Sequence, residues 1–261
     1  MNVFRFKTIN TGYKSLVRRL LLKPDDYQKV DFPNSGKGPF INKRSRYHLR
    51  NVHILFKDPG SFTEFKVACP NRSKIMNDYM KKETYLFDKG VIDAEEMGKA
   101  SKMWKLIANP DRTVNANYGF MVYHLRDAGN PKFTKKEDFM SQFDWCKNRL
   151  SKNLYTLQAI MHFNRPKDQY IENLDQPCTV FCQFTVTNNQ LNFHSYMRSN
   201  DIIYGTPYNL AYFKVLQGRM LLYLNSECDV DLSCGYLCHS ATSIHLYEDR
   251  IDIAKSIVGY Q

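Results

Sequence analysis

The sequence predicts an α/β (α+β) fold, organised as a single domain over residues 1–261, from three observations. Short runs alternate apolar and polar residues at the period of a half-buried strand, as in Val180, Cys182, Phe184 and Val186. Longer segments repeat apolar residues at helical steps, as in Leu210, Phe213, Leu216, Met220 and Leu224. The 261 residues suffice for one substantial core, and no linker-like change of composition divides them.

Taken in order, Gly12 to Leu22 reads as a short amphipathic helix with Leu16, Val17, Leu20 and Leu21 on one side, ended before Pro24. Residues 24–43 are turn-rich and read as a surface loop. Arg50 to Lys57 alternates Val52, Ile54 and Phe56 as a strand and stops at Asp58-Pro59-Gly60. Residues 73–87 have helical spacing, with Ile75, Tyr79, Met80 and Leu86 on related faces and Gly90 just beyond the end. A further helix is predicted over 137–155 from Phe139, Phe143, Cys146 and Leu150, then a strand from Leu157 to Phe163. The run from Val180 meets a second, Leu191, Phe193, Ser195 and Met197, across Asn188-Asn189, a pair suited to a tight hairpin turn. A Gly205-Thr206-Pro207-Tyr208-Asn209 loop leads into a buried helix from Leu210 to Leu224.

Composition narrows the function classes. The 37 basic against 26 acidic residues give a net charge of +11, which favours anionic partners. Apart from Lys43-Arg44-Ser45-Arg46 the basic residues are scattered, so small phosphorylated ligands fit better than nucleic acid. No apolar run has the length of a membrane span, and the N-terminus lacks a signal-peptide core. The expectation is a cytoplasmic protein with its seven cysteines reduced. Cys234 and Cys238, with His239 adjacent, have no second ligand pair nearby, so no metal is expected.

The stretch from Pro177 to Asn209 gathers a thiol, a guanidinium, a carboxylate and an amide: Cys178, Arg198, Asp201 and Asn209. That set suits nucleophilic attack on an anionic, hydrogen-bonding substrate. A cysteine on a strand is ordinarily a small buried hydrophobe, and Cys182 reads so. The polar groups around Cys178 single it out. The stretch resembles the thymidylate synthase family in Pro177-Cys178, Gln183-Phe184, Arg198-Ser199-Asn200-Asp201 and Gly205-Thr206-Pro207-Tyr208-Asn209, in order and spacing. Pro-Cys-Thr and Arg-Ser-Asn-Asp are worded like the phage-type deoxynucleotide hydroxymethylases of that family.

The resemblance implies a thymidylate synthase-like fold, a large mixed sheet flanked by helices that dimerises through the sheet. It implies a pyrimidine nucleoside monophosphate as substrate and 5,10-methylenetetrahydrofolate as co-substrate. Cys178 is the implied nucleophile. Arg198 and Ser199 are implied at the nucleotide, Asn209 at the base, and His245 with Tyr247 at the sugar hydroxyl. Arg44 matches best an arginine that reaches the phosphate, with Arg46 and Arg50 competing for that role. Glu83, seven residues before Gly90, is implied in proton traffic through water. On its own, a glutamate among lysines on a helix reads as a salt-bridge partner. Trp104 and Tyr118 are implied on the folate side and Asp201 at the pterin; core packing is the bland alternative for the two aromatics.

The chain departs from the family at Thr156-Leu157-Gln158-Ala159, where relatives carry arginines donated across a dimer, so either Arg165 or Lys152 substitutes or phosphate binding is weaker. The Pro-Cys-Thr wording and the short stretch after Tyr247 favour hydroxymethylation, with Arg198 lowering the Cys178 pKa. Asn209, where relatives acting on cytosine nucleotides tend to have aspartate, favours dUMP. Methylation of dUMP and hydroxymethylation of dCMP or CMP stay open. So do a catalytically idle member that binds nucleotide or RNA, and a flavin-assisted relative.

Overall fold

The computed structural model describes residues 2–29, 44–128, 132–133, 135–171 and 173–260. The loop expected over 24–43 lies outside them from residue 30 onward, and its described part holds a short strand, β2 (Asp26–Gln28). The other strands are β1 (Asn2–Phe6), β3 (Arg46–Phe56), β4 (Arg126–Ala128), β5 (Met140–Ser141), β6 (Ile160–His162), β7 (Thr179–Thr187), β8 (Gln190–Met197), β9 (Asn200–Asp201) and β10 (Ser233–Tyr247). The helices are α1 (Ile9–Leu22), α2 (Pro70–Asp88), α3 (Ala94–Met97), α4 (Met103–Ile107), α5 (Gln142–Lys152), α6 (Thr206–Glu227) and α7 (Ile251–Val258).

Eight strands form one mixed sheet in the order β1-β3-β10-β8-β7-β6, with β2 added to β3 and β9 to β10. β10 runs antiparallel to β3 and parallel to β8, and the β7–β8 hairpin is antiparallel. At its turn, Asn188 and Asn189 have φ of 51° and 55°. Two left-handed residues match the right-handed twist of the flanking strands, and asparagine tolerates that conformation best after glycine. This turn fixes the register that carries Cys178 and Arg198 to the same end of the sheet, where Arg198 N–H donates to Cys178 O at 2.9 Å.

One sheet face is dry. Val52, Ile54, Phe56, Cys182, Phe184, Leu191, Phe193 and Met197 are buried there, as the alternation predicts. α6 lies against them with Leu210, Phe213, Leu216, Met220 and Leu224 fully buried, and the rings of Phe193 and Phe213 are 5.7 Å apart. Each such side chain contributes about 1.5–3 kcal/mol by leaving water. On the opposite face Phe181, His194, Tyr196 and Tyr236 are only half-buried. There Phe181 stacks on Tyr196 and His194 meets Tyr236 edge-on.

Three expectations are corrected. The helix expected over 137–155 starts at Gln142, because the Ser141 hydroxyl caps it by accepting Asp144 N–H at 3.1 Å. The strand expected from Leu157 shortens to Ile160–His162, and Leu157 stands 70% exposed. The loop expected over residues 205–209 is helical from Thr206 onward, with Pro207 suited to the first turn of α6. Cys234 and Cys238 lie on β10, and among the described residues no cluster of three His, Cys, Asp or Glu side chains is arranged to hold a metal. No helix among them is long and apolar enough to cross a membrane.

Candidate active site

A cavity of about 870 Å³ opens where α2, α4, the start of α6 and the Cys178 end of the sheet converge. Helix α2 supplies one wall. Ile75, Tyr79, Glu83 and Phe87 recur every four residues, so one stripe of the helix faces inward. The helix stops at Gly90, whose φ of 62° supplies the left-handed residue that terminates it. Gly119 then passes so close to the Phe87 carbonyl that any Cβ would collide with it. That contact seats Tyr118 beside the strand of the thiol. The Tyr118 hydroxyl accepts from Thr179 Oγ1 at 2.9 Å and from Thr179 N–H at 3.3 Å.

Eight of the implied residues line this cavity together: Cys178, Glu83, Asp201, Ser199, Asn209, Arg44, Trp104 and Tyr118. Glu83 accepts a hydrogen bond from the Tyr79 hydroxyl at 2.5 Å. Burial pushes its carboxyl up to about 7, while the Tyr79 bond pulls the other way. Asp201 is pushed up by burial too, offset by the backbone N–H groups of Tyr204 and Ile203, which donate to its Oδ1 at 3.1 and 2.7 Å. The Trp104 ring packs edge-on against Phe87. Burial, then Glu83, raises the Tyr79 pKa well above its ordinary value, and the nearby Trp104 indole N–H offsets part of that rise. Among the described residues nothing hydrogen-bonds the Asn209 side chain, so both ends of its amide are available to the cavity.

Arg198, His245 and Tyr247 do not line the cavity. The Arg198 side chain donates to the Gln176 carbonyl at 2.8 Å and the Pro177 carbonyl at 3.2 Å, clamping the turn ahead of Cys178. Its effect on the thiol is smaller than expected. Burial raises the Cys178 pKa above its ordinary value, Arg198 pulls it down, and Asp175 and Asp201 push it up again. His245 is buried on β10 beside β9, where Ile202 N–H donates to its carbonyl, and no described residue bonds either ring nitrogen. Burial, then Arg46, holds its pKa at about 3, so the ring is neutral. Tyr247 is covered by the Arg44 guanidinium 4.3 Å above its ring, and Arg44 also pairs with Asp249 at 2.6 Å. Of the two rivals of Arg44, Arg46 reaches Gln28 and Arg50 pairs with Asp26. Neither lines the cavity, although Arg46 also lies beside Tyr247.

The cavity also holds groups that the motifs did not mark: Arg72, Arg250, Tyr204, Tyr79 and Asp175. Tyr79 is legible afterwards as the residue four before Glu83, but an aromatic at that step reads equally well as core. The buried Asp175 accepts the N–H groups of Asn115 and Ala116, tying the Trp104–Tyr118 segment to the lead-in of β7. Chemically, the cavity offers a thiol for addition to an electrophilic carbon and a carboxyl that exchanges its proton near neutrality. It adds a second buried carboxyl, an uncommitted amide and an aromatic wall for a flat ring.

The thymidylate synthase family model matches residues 61–259, most of the chain. The chain belongs to the thymidylate synthase family. It is 24% identical over 177 residues to the deoxycytidylate 5-hydroxymethyltransferase of Enterobacteria phage T4, covering 66% of this chain and 67% of that protein. It is 25% identical over 244 residues to the thymidylate synthase of varicella-zoster virus (strain Dumas), covering 87% of this chain and 73% of the viral one. The fold matches the thermostable thymidylate synthase A of Bacillus subtilis with a TM-score of 0.66 at 17% identity, over 95% of this chain and 83% of that one. The expected fold is therefore found, and the chain is a one-carbon transferase of this family.

Proposed function

We propose that this thymidylate synthase-family protein hydroxymethylates dUMP at C5 with 5,10-methylenetetrahydrofolate. The observation that carries the reading is the convergence of Cys178, Glu83, Asp201, Asn209 and Trp104 on one cavity. Cys178 Sγ adds to C6 of the pyrimidine and sends electron density to C5, which takes up the one-carbon unit supplied by the folate. Glu83, with a proton affinity near neutrality, takes the C5 proton through water. Loss of tetrahydrofolate leaves an exocyclic methylene; water adds to it, and Sγ departs as the ring double bond re-forms. Trp104 and Tyr118 wall the folate side, and Asp201 faces the pterin as a hydrogen-bonding carboxyl. The half-exposed Ile75, Met103 and Leu106 give an aromatic tail an apolar surface.

Hydroxymethylation is favoured over methylation by the Pro177-Cys178-Thr179 wording and by similarity to the T4 protein. Mass spectrometry of the products of dUMP and dCMP, with absorbance followed in parallel, tests this. A methylase oxidises its folate to dihydrofolate, so an absorbance rise matching product formation would sink the hydroxymethyl assignment.

Base choice rests on Asn209. An amide offers one acceptor and one donor, which complement the N3–H and O4 of uracil in a single orientation. The name of the T4 relative favours cytosine as a second reading. A mispaired buried edge costs about 1–3 kcal/mol, so dUMP is expected to be preferred about tenfold to hundredfold. Asn209→Asp is expected to move the ratio of kcat/KM values toward dCMP. Faster turnover of dCMP by the unaltered protein would assign the amide the flipped orientation.

The half-buried aromatic sheet face fits a homodimer interface. Sedimentation at micromolar concentration is expected to give a dimer, and a monomer would remove this assembly.

A further inference from the structure

We propose that Arg72 and Arg250, on either side of Tyr204 in the cavity wall, form an oxyanion subsite for the charged end of a substrate. The inference rests on the functional reading above and adds residues that no motif of the sequence marks.

Both guanidinium groups border the cavity, and both lie against the same ring, 5.8 Å (Arg72) and 5.5 Å (Arg250) from the Tyr204 centroid. Among the described residues, part of their hydrogen-bonding capacity is unspent. Nε and Nη2 of Arg72 and Nε of Arg250 are buried, and no described residue accepts from them. Arg72 has no ion pair among the described residues. Arg250 reaches Asp249 only at 3.5 Å, and that carboxylate is already held by Arg44 at 2.6 Å. Buried donors on a charged group are costly to leave unmade, so such an arrangement persists where an acceptor completes it.

Local structure adds to the positive field. Arg72 sits in the first turn of α2, and the residue ahead of that helix, Cys69, makes no side-chain cap. The first-turn N–H groups therefore add their partial positive charge on the same side. Across this end of the cavity, among the described residues, Arg44, Arg72 and Arg250 face Asp201 and Asp249 as carboxyls, and burial raises the proton affinity of Asp201. One more anion balances the set. Two guanidinium groups flanking an aromatic ring present N–H donors to a planar carboxylate or to a phosphate alike. Both substrates of the proposed reaction end in such a group: the nucleotide in a phosphate, the folate in a glutamate.

The test uses Arg72→Gln, Arg250→Gln and the double variant in the full chain, with the Arg→Lys pair as a charge-retaining control and circular dichroism as the check on folding. Inorganic phosphate is the first probe, by isothermal titration. The double Gln variant is expected to bind it at least about tenfold more weakly than the unaltered protein, as for loss of charge-assisted hydrogen bonds. KM values then identify the source. A rise of about tenfold to hundredfold for dUMP, with none for deoxyuridine, assigns the phosphate. The same rise for methylenetetrahydrofolate, with none for its pteroate analogue lacking glutamate, assigns the carboxylate. The Lys pair is expected to fall between. Equal phosphate binding with both KM values unchanged within about twofold overturns the subsite, as does equal weakening of charged and uncharged analogues. If the unaltered protein turns over neither substrate pair, the functional reading fails, and phosphate titration alone decides the subsite.

Discussion

Cys178→Ser is expected to lower turnover by more than about 10⁴-fold while nucleotide affinity changes only a few-fold, as for loss of a group that bonds only after docking. The hydroxyl keeps the size and position of the thiol but not its nucleophilicity. The side chain lies at the lead-in to β7, so removing sulfur leaves the buried ladder from Cys182 to Val186 untouched. Turnover and equilibrium binding of dUMP, measured on the same preparation, separate the two effects. Activity preserved in the serine variant would remove covalent catalysis from this site. Because burial raises the Cys178 pKa, the unaltered enzyme is expected to react faster as pH rises and more thiolate forms.

Glu83→Gln carries the second large effect, an expected loss of about 10²–10⁴-fold in kcat, the usual range for a positioned acid or base. Glutamine keeps the shape and a hydrogen-bonding oxygen for Tyr79 but cannot exchange a proton. The pH profile adds a sharper reading. Glu83 is pushed up to about 7, and the carboxylate is the form that accepts the C5 proton, so kcat is expected to fall as pH drops below about 7. That acid limb is expected to vanish in Glu83→Gln. The Tyr79 hydrogen bond stabilises the ionised form, so Tyr79→Phe is expected to move the limb to higher pH. A limb that stays in place in both variants would assign it to another group.

Much of the fold was legible because its signals are local. Asn188-Asn189 announces a left-handed turn by residue type, and the positions from Val52 to Phe56 and from Leu191 to Met197 alternate cleanly. The motif residues around Cys178, Ser199, Asp201 and Asn209 were legible for the same reason, being close in sequence. The structure joins to them Glu83, Trp104 and Tyr118, which only the family resemblance had brought in. What sequence could not give was the aim of side chains. Arg198 has the spacing of a substrate ligand, yet its guanidinium is engaged by two backbone carbonyls. Arg72 and Arg250 lie far apart in the chain and meet only because α2 and the segment after β10 reach the same ring. The start of α5 was misplaced because Phe139 keeps helical step with Phe143 although the chain is not yet helical there.

The stripe of Ile75, Tyr79, Glu83 and Phe87 on a single 19-residue helix has a mechanical meaning. These four groups travel as one rigid body, whereas Cys178 and Asn209 ride on the sheet end and on α6. A substitution that shifts this helix therefore displaces the carboxyl, its tyrosine partner and the aromatic wall together relative to the thiol and the amide, so its effect is read at all four positions at once.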